Sequence, residues 1–149
     1  IEMIQALDKN GFTYVTALGV YFDVSKFKKY GALSGQPLEE KLKNVREDLV
    51  SDPEKKHQAD FALWLFTKGV HAKHQMKWDS PWGEGFPGWH IECSAMGSKY
   101  LGNPFDIHTG GVDHIPVHHE NEIAEAVCAS VMQMANFWLQ TQFDLEDGV

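Results

Sequence analysis

The order of elements after residue 88 constrains this chain most. A helical run there is followed by a short strand, a Gly-Gly turn, a longer helical run and a second apolar strand region. Such alternation predicts an α/β fold with a parallel sheet, because parallel strands need a crossover between them. The first helix is expected from Trp89 to about Tyr100. Pro87 suits a helix start, and Trp89, Cys93, Met96 and Tyr100 share one face. Gly102-Asn103-Pro104 ends it. Phe105 to His108 reads as a strand closed by Gly110-Gly111. Pro116 then precedes a long helix from about His118 to Met134, with Ile123, Val127, Val131 and Met134 as its core stripe. Glu120, Glu122 and Glu125 suit the positive end of that helix. Phe137–Leu139 and Phe143–Leu145 read as the final strand region.

The upstream half has a different texture. Ile1 to Leu7 reads as a helix end, stopped by Lys9-Asn10-Gly11. Phe12–Thr16 and Val20–Val24 are rich in β-branched and aromatic residues and predict a hairpin. Ser25 is placed to cap a short helix holding Phe27 and Tyr30 and ended by Gly31. Residues 35–60 are charged and read as a solvated connector, with Lys41 to Asp48 an exposed helix or loop. Phe61 to Phe66 is apolar and reads as buried. Trp78, Trp82, Phe86 and Trp89 are interleaved with Pro and Gly, which predicts an irregular loop.

Composition narrows the class. The 149 residues are one domain's worth of chain. Acidic residues outnumber basic ones, 21 to 13, so a basic nucleic-acid groove across the whole surface is excluded. A nucleic-acid enzyme whose basic surface lies elsewhere is not. At 43% hydrophobic residues the chain is too apolar for disorder. No apolar run is long enough to span a membrane, and no signal peptide is visible. Two cysteines are too few for a disulfide framework, so a reducing cytoplasm is expected. The start at Ile1 and the turn-like end at Gly148-Val149 read as a piece of a longer protein.

Cys93, His118, His119, Glu120 and Glu122 carry the candidate chemistry. His118 and Glu122 are four residues apart, which places both on one helix face. A thiolate, an imidazole and a carboxylate are all zinc ligands, and three of them from separate elements leave an open fourth position. Spacing alone leaves plainer readings open. A cysteine on an apolar helix face is also an ordinary core residue, and His-x-x-x-Glu is also an ordinary polar contact. Asp113 follows Gly110-Gly111 at a strand's carboxyl end, where α/β sheets bind ligands, and two glycines let backbone approach a ligand closely. His108 reads as a core histidine, a substrate partner or an alternative ligand. Cys128 reads as core packing.

Two long runs resemble one family. Ser80 to Met96 reads SPWGEGFPGWHIECSAM, and Phe105 to Ala124 reads FDIHTGGVDHIPVHHENEIA. Both are similar to the signatures of cysteinyl-tRNA synthetases. The similarity extends to Val20–Val24, Tyr30–Ser34 and Asp60–Trp64, so it covers nearly the whole chain. It implies a class I, Rossmann-type catalytic domain that activates cysteine with ATP and Mg2+ and charges tRNA(Cys). It also implies Zn2+ recognising the substrate thiol, with Cys93, His118 and Glu122 as ligands and a further Cys supplied by a segment outside this chain. Trp89 and His108 then surround the substrate side chain, and Asp113, Gly110 and Gly111 face the adenylate. No residue of this chain is assigned a catalytic role. The family's HIGH and KMSKS signatures, which handle ATP phosphates, are expected before Ile1 and after Val149. The isolated chain is therefore expected to be inactive. On this basis residues 1–75 correspond to a connective insert, of α+β character, and 76–149 to the second half of the Rossmann-type domain. Phe86, Thr109, His114 and Gln140 depart from the family pattern, while the zinc ligands do not.

Three other readings compete. A cysteine ligase acting on an amino sugar shares the Gly-Trp-His and His-His features, but Glu122 favours the synthetase. A zinc hydrolase needs His-Glu-x-x-His, and the second His is missing. A fragment that only binds metal is the third.

Overall fold

The computed structural model describes residues 1–37 and 52–142. The expected Lys41–Asp48 helix or loop and the Phe143–Leu145 strand lie outside the described residues. Helix α1 spans Glu2–Lys9 and buries Ile4 and Leu7. The expected stop follows, with Asn10 as C-cap and the Phe12 amide donating back to the Leu7 carbonyl at 3.0 Å. Strands β1 (Thr13–Val15) and β2 (Gly19–Phe22) form the expected antiparallel hairpin, in register Thr13↔Phe22 and Val15↔Val20. Ser25 caps no helix. A single 3-10 turn spans Val24–Lys26 with Asp23 at its N-cap, and Phe27 and Tyr30 follow outside any helix.

Strand β3 (Phe61–Phe66) pairs antiparallel with β2, and Leu63 at its centre is fully buried. The aromatic loop expected across residues 78–88 is not wholly irregular. Gly85–Pro87 forms β4, antiparallel to β3. Gly85 permits this. A Cβ there would sit 2.2 Å from the Leu65 carbonyl and 2.5 Å from Trp64 Nε1. Pro87 is tolerated because β4 is an edge strand. The sheet order is β1-β2-β3-β4.

Helix α2 spans Trp89–Leu101 and is ended by Gly102 in a positive-φ conformation. Its buried positions are Ile91 and Ser94, while Trp89, Met96 and Tyr100 face outward. Strand β5 (Phe105–Gly111) is longer than expected, and it pairs in parallel with β6 (Ala135–Thr141). Between them, a π turn at Ile115–His119 leads into helix α3 at Glu120–Ser130.

Two expectations need correction. The core stripe of α3 does not run through Ile123, Val127 and Val131: Ile123 and Val127 are half-buried, and Val131 caps the helix in left-handed geometry and is 86% exposed. The chain must turn there, because the Met134 carbonyl accepts the Phe105 amide and starts the β5–β6 register. The buried α3 positions are Glu120, Asn121, Glu122, Ala124, Glu125, Ala126 and Cys128. The second correction concerns the sheet. The described parallel component is the β5–α3–β6 unit alone, and the larger sheet is antiparallel. β5 and β6 are joined by a helical crossover, whereas β1 and β2 are joined by a tight turn that permits antiparallel pairing only.

One core ties these parts together. Ile4 and Leu7 of α1, Phe22 of β2, Leu63 and Trp64 of β3, and Ile91 of α2 pack with Ala124 and Cys128 of α3. Cys128 is thus a core residue, as expected, and burial pushes its thiol up to about 12. A smaller cluster of Phe105, Ala126, Met134 and Ala135 seats α3 on the parallel pair. These contacts fix α2 and α3 side by side.

Candidate metal centre

The site forms where α2, the π turn and α3 meet. A π turn accommodates an extra residue per turn and recurs at functional sites. Here it directs two consecutive side chains inward: His118 is 7% and His119 2% exposed. Glu122, one turn into α3, is fully buried. Cys93 arrives from α2.

Ligand atoms of Cys93, His118 and Glu122 all lie within 4.8 Å of one another. His118 Nε2 is 3.7 Å from Glu122 Oε1. A tetrahedral zinc ion with N and O ligands has edges of roughly 3.4 Å, so the spacing is that of a coordination polyhedron. Glu122 Oε1 is buried and makes no hydrogen bond among the described residues. An orphaned carboxylate oxygen beside a thiol and an imidazole is what a bound cation would satisfy. The residues present therefore fit a metal.

The two donors differ in their metal-free protonation: the thiol must lose its proton to ligate, whereas the imidazole is already neutral. Burial, reinforced by Glu122, Glu92 and Glu125, pushes the Cys93 thiol up to about 11. Burial lowers the His118 pKa, against the opposing pull of Glu122, and so favours the neutral imidazole that ligates metals. His90 Nδ1 lies 2.8 Å from His118 Nδ1. One of the two must carry the proton. With the His118 Nε2 lone pair kept for a metal beside Glu122, the His118 Nδ1–H would donate to His90. Burial, with His118 and His114 nearby, lowers His90 to about 3, so His90 accepts as a neutral ring.

The other oxygen of Glu122 looks the opposite way. Oε2 accepts from His108 Nε2 at 2.9 Å and lies 3.9 Å from His119 Nε2. His108, His119 and Glu122 also have ligand atoms within 4.8 Å of one another. In that group the carboxylate oxygen is already bonded to His108, and no thiol is present. The Cys93 group thus has the softer donors and the vacant oxygen. Gln140 Nε2 meets His119 Nδ1 at 3.0 Å and closes the far side.

The remaining predicted residues divide. Trp89 lies against the His118 ring, centroids 4.5 Å apart, and is itself 59% exposed at the mouth of the site. His108 is brought in through Glu122 and rests edge-on against Trp138. Asp113 is not part of the cluster; its side chain is exposed, 3.4 Å from His114 Nδ1. Gly110 packs under the His119 ring, and Gly111 lies against Asp113. Sequence reasoning did not single out His90. Its partner lies 28 residues away, and only its place beside Trp89 at a helix start marks it.

Among the described residues, no helix is long and apolar enough to cross a membrane. Residues 1–146 match the family model for the catalytic domain of class I tRNA synthetases, type C. The chain is 48% identical over 143 residues to a cysteine–tRNA ligase of Treponema denticola, covering 96% of this chain and 28% of that protein. It is 50% identical over 143 residues to the one from Methanococcus aeolicus, with 96% and 28% covered. It is 50% identical over 148 residues to the one from Pyrococcus abyssi, with 99% and 30% covered. The chain thus spans about 30% of the length of the curated relatives it matches. With a match along nearly its whole length and a thiol–imidazole–carboxylate cluster at its centre, the chain belongs to the cysteinyl-tRNA synthetase catalytic-domain family.

Proposed function

We propose that this chain belongs to a cysteine–tRNA ligase that activates cysteine with ATP and Mg2+ and transfers it to tRNA(Cys). Cys93, His118 and Glu122 hold zinc, and a further protein ligand comes from elsewhere in the full protein. The convergence of these three residues on one position, with the Glu122 Oε1 lone pairs unused, carries the reading. Zinc bound there offers an open position that prefers a thiolate sulfur to a hydroxyl oxygen.

That preference answers a selection problem. Serine and alanine are no larger than cysteine, so a pocket cannot exclude them by size. Hydrophobic fit distinguishes such groups by only about 1–3 kcal/mol. The chain's own residues prepare the site instead. Trp89 walls the mouth over His118. Glu122 orients His108 through its second oxygen, which leaves Oε1 for the metal. Asp113, Gly110 and Gly111 stand at the carboxyl end of β5, where an adenylate's ribose or the amino group of cysteine is met. Residues 1–75 serve as the connective insert and 76–149 as the second Rossmann half. The antiparallel β1–β3 and the parallel β5–α3–β6 unit support that division, with β4 pairing across it.

The test uses the full-length protein. Zinc content and cysteine-dependent pyrophosphate exchange are measured for the wild type, Cys93→Ala and His118→Ala, with serine as competitor. Loss of zinc together with loss of cysteine-over-serine preference is expected. Preference that survives zinc loss in folded protein would reduce the metal to a staple.

A further inference from the structure

The buried Ser94–Glu125 pair lies behind the metal cluster, and nothing in the proposed chemistry uses it. Ser94 on α2 and Glu125 on α3 are both fully buried. The Ser94 hydroxyl donates to Glu125 Oε2. Ser94 directly follows Cys93, and Glu125 stands one helical turn after Glu122. The bond therefore joins the two helices beside the residues that supply the sulfur and the carboxylate.

Such a pair is an expensive way to fill a helix interface. Burying a carboxyl group with no cation at hand costs more than packing an alanine against a leucine. Glu125 Oε1 finds no hydrogen-bond partner among the described residues. Apolar contacts also hold these helices, through Ile91, Ala124 and Cys128. Apolar contacts are non-directional and allow two helices to slide or rotate slightly. A hydrogen bond does not, because its geometry is narrow. Metal coordination tolerates displacements of only about 0.2 Å in ligand distance.

We propose that Ser94 and Glu125 are positioning residues for the metal centre, a polar clamp that sets the distance between Cys93 and Glu122 by fixing the register of α2 against α3. This rests on the zinc reading above. Burial holds the Glu125 carboxyl well above the usual carboxylate range, despite the Ser94 bond, so a neutral amide is its close substitute. Glutamine keeps the acceptor and the shape, whereas alanine removes both.

The experiment uses the full-length protein and the variants Ser94→Ala, Glu125→Ala, Glu125→Gln and Cys93→Ala. Zinc affinity is measured by competition with a chromophoric chelator. Cobalt is then substituted, and the part of the thiolate-to-metal charge-transfer band that Cys93→Ala removes reports the Cys93 bond. Thermal midpoints are recorded in metal-free protein. The clamp predicts that Ser94→Ala and Glu125→Ala weaken zinc binding about 10–100-fold, the usual effect of losing an outer-shell partner. Both should diminish the charge-transfer band, and Glu125→Gln should restore affinity and band. If Glu125→Ala does not fold, Ser94→Ala carries the same test. Folded Ser94→Ala protein with wild-type zinc affinity and an unchanged band would overturn the clamp, whatever its thermal midpoint. A Cys93→Ala protein with undiminished zinc affinity and cobalt spectrum would instead sink the underlying zinc reading.

Discussion

Gly110 and Gly111 are adjacent at the end of β5, yet alanine should be tolerated at only one of them. Neither has a positive φ, so backbone strain plays no part. Space decides. A Cβ on Gly110 would sit 2.6 Å from both Cε1 and Nε2 of His119. That is about 0.8 Å inside ordinary van der Waals contact, so something must move. The His119 ring has nowhere to go. It is 2% exposed, held by Gln140 at 3.0 Å, and boxed between the rings of Trp138 and His108 at 5.0 and 4.9 Å. Overpacking of this kind costs about 1–3 kcal/mol, which lowers a thermal midpoint by roughly 3–9 °C in a domain of this size. On Gly111 the clash is with Asp113 Oδ1 at 2.3 Å, the free end of a side chain that is 78% exposed. That side chain rotates away at little cost. Thermal unfolding of the full-length protein and its two alanine variants makes the comparison, with zinc affinity as a second readout of a shifted His119. A Gly110→Ala midpoint within a degree of wild type would refute the reasoning. So would a Gly111→Ala variant that loses more.

Further outcomes follow from the same geometry. Leu63→Ala, in the middle of β3 and fully buried, should cost about 2–5 kcal/mol, measured by denaturant or thermal unfolding. In metal-free protein, His90 is held neutral by burial and titrates near pH 3, below its unfolded value of about 6.5. Its contribution to stability is therefore complete above about pH 6.5 and is lost as the pH falls toward 3, at up to about 1.4 kcal/mol per pH unit; a His90→Phe variant should show a flatter midpoint-versus-pH curve between pH 7 and 5. Zinc binding must displace the Cys93 proton, which burial holds on up to about pH 11. Apparent zinc affinity should therefore rise at least tenfold per pH unit from pH 6.5 to 8.5 in a chelator competition, and a flat profile would contradict thiolate ligation.

Much of this fold is legible in the sequence, because local signals coincide with tertiary ones. The α1 stop at Asn10, the β1–β2 hairpin, the α2 stop at Gly102 and the β5–helix–β6 alternation each carry their own punctuation, whereas Pro87, read as a helix start, lies in β4 and Gly88 is the N-cap. Pattern fails where a long-range partner overrides it. Gly85–Pro87 looks like loop because its glycine and proline are loop residues, yet β3 needs a close-packed edge there. Val131 continues the apolar period of α3, yet the Met134–Phe105 hydrogen bond requires the chain to turn first.

The acids of α3 show the limit most clearly. A sequence reading explains Glu120, Glu122 and Glu125 by the helix dipole, an effect of a few tenths to about one kcal/mol for exposed groups. All three are buried, and each meets donors from a different part of the chain. Glu120 accepts from the amides of Gly31 and Ser34 and from the Ser34 hydroxyl, which pins the 31–34 turn to the start of the helix. Tyr30 reinforces this by donating to Asn121. Glu122 accepts from His108, and Glu125 from Ser94. Burying a carboxylate without such donors costs several kcal/mol, so these bonds, not the dipole, decide whether the helix can face inward. Only Glu122 keeps a free oxygen that also faces a thiol and an imidazole. Glu125 has an orphaned oxygen too, but it belongs to neither cluster of ligand atoms. The difference between a structural acid and a metal ligand therefore lies in where the unused lone pair points. Helical spacing cannot contain that information, because it records the face a residue occupies and not the partners that await it there.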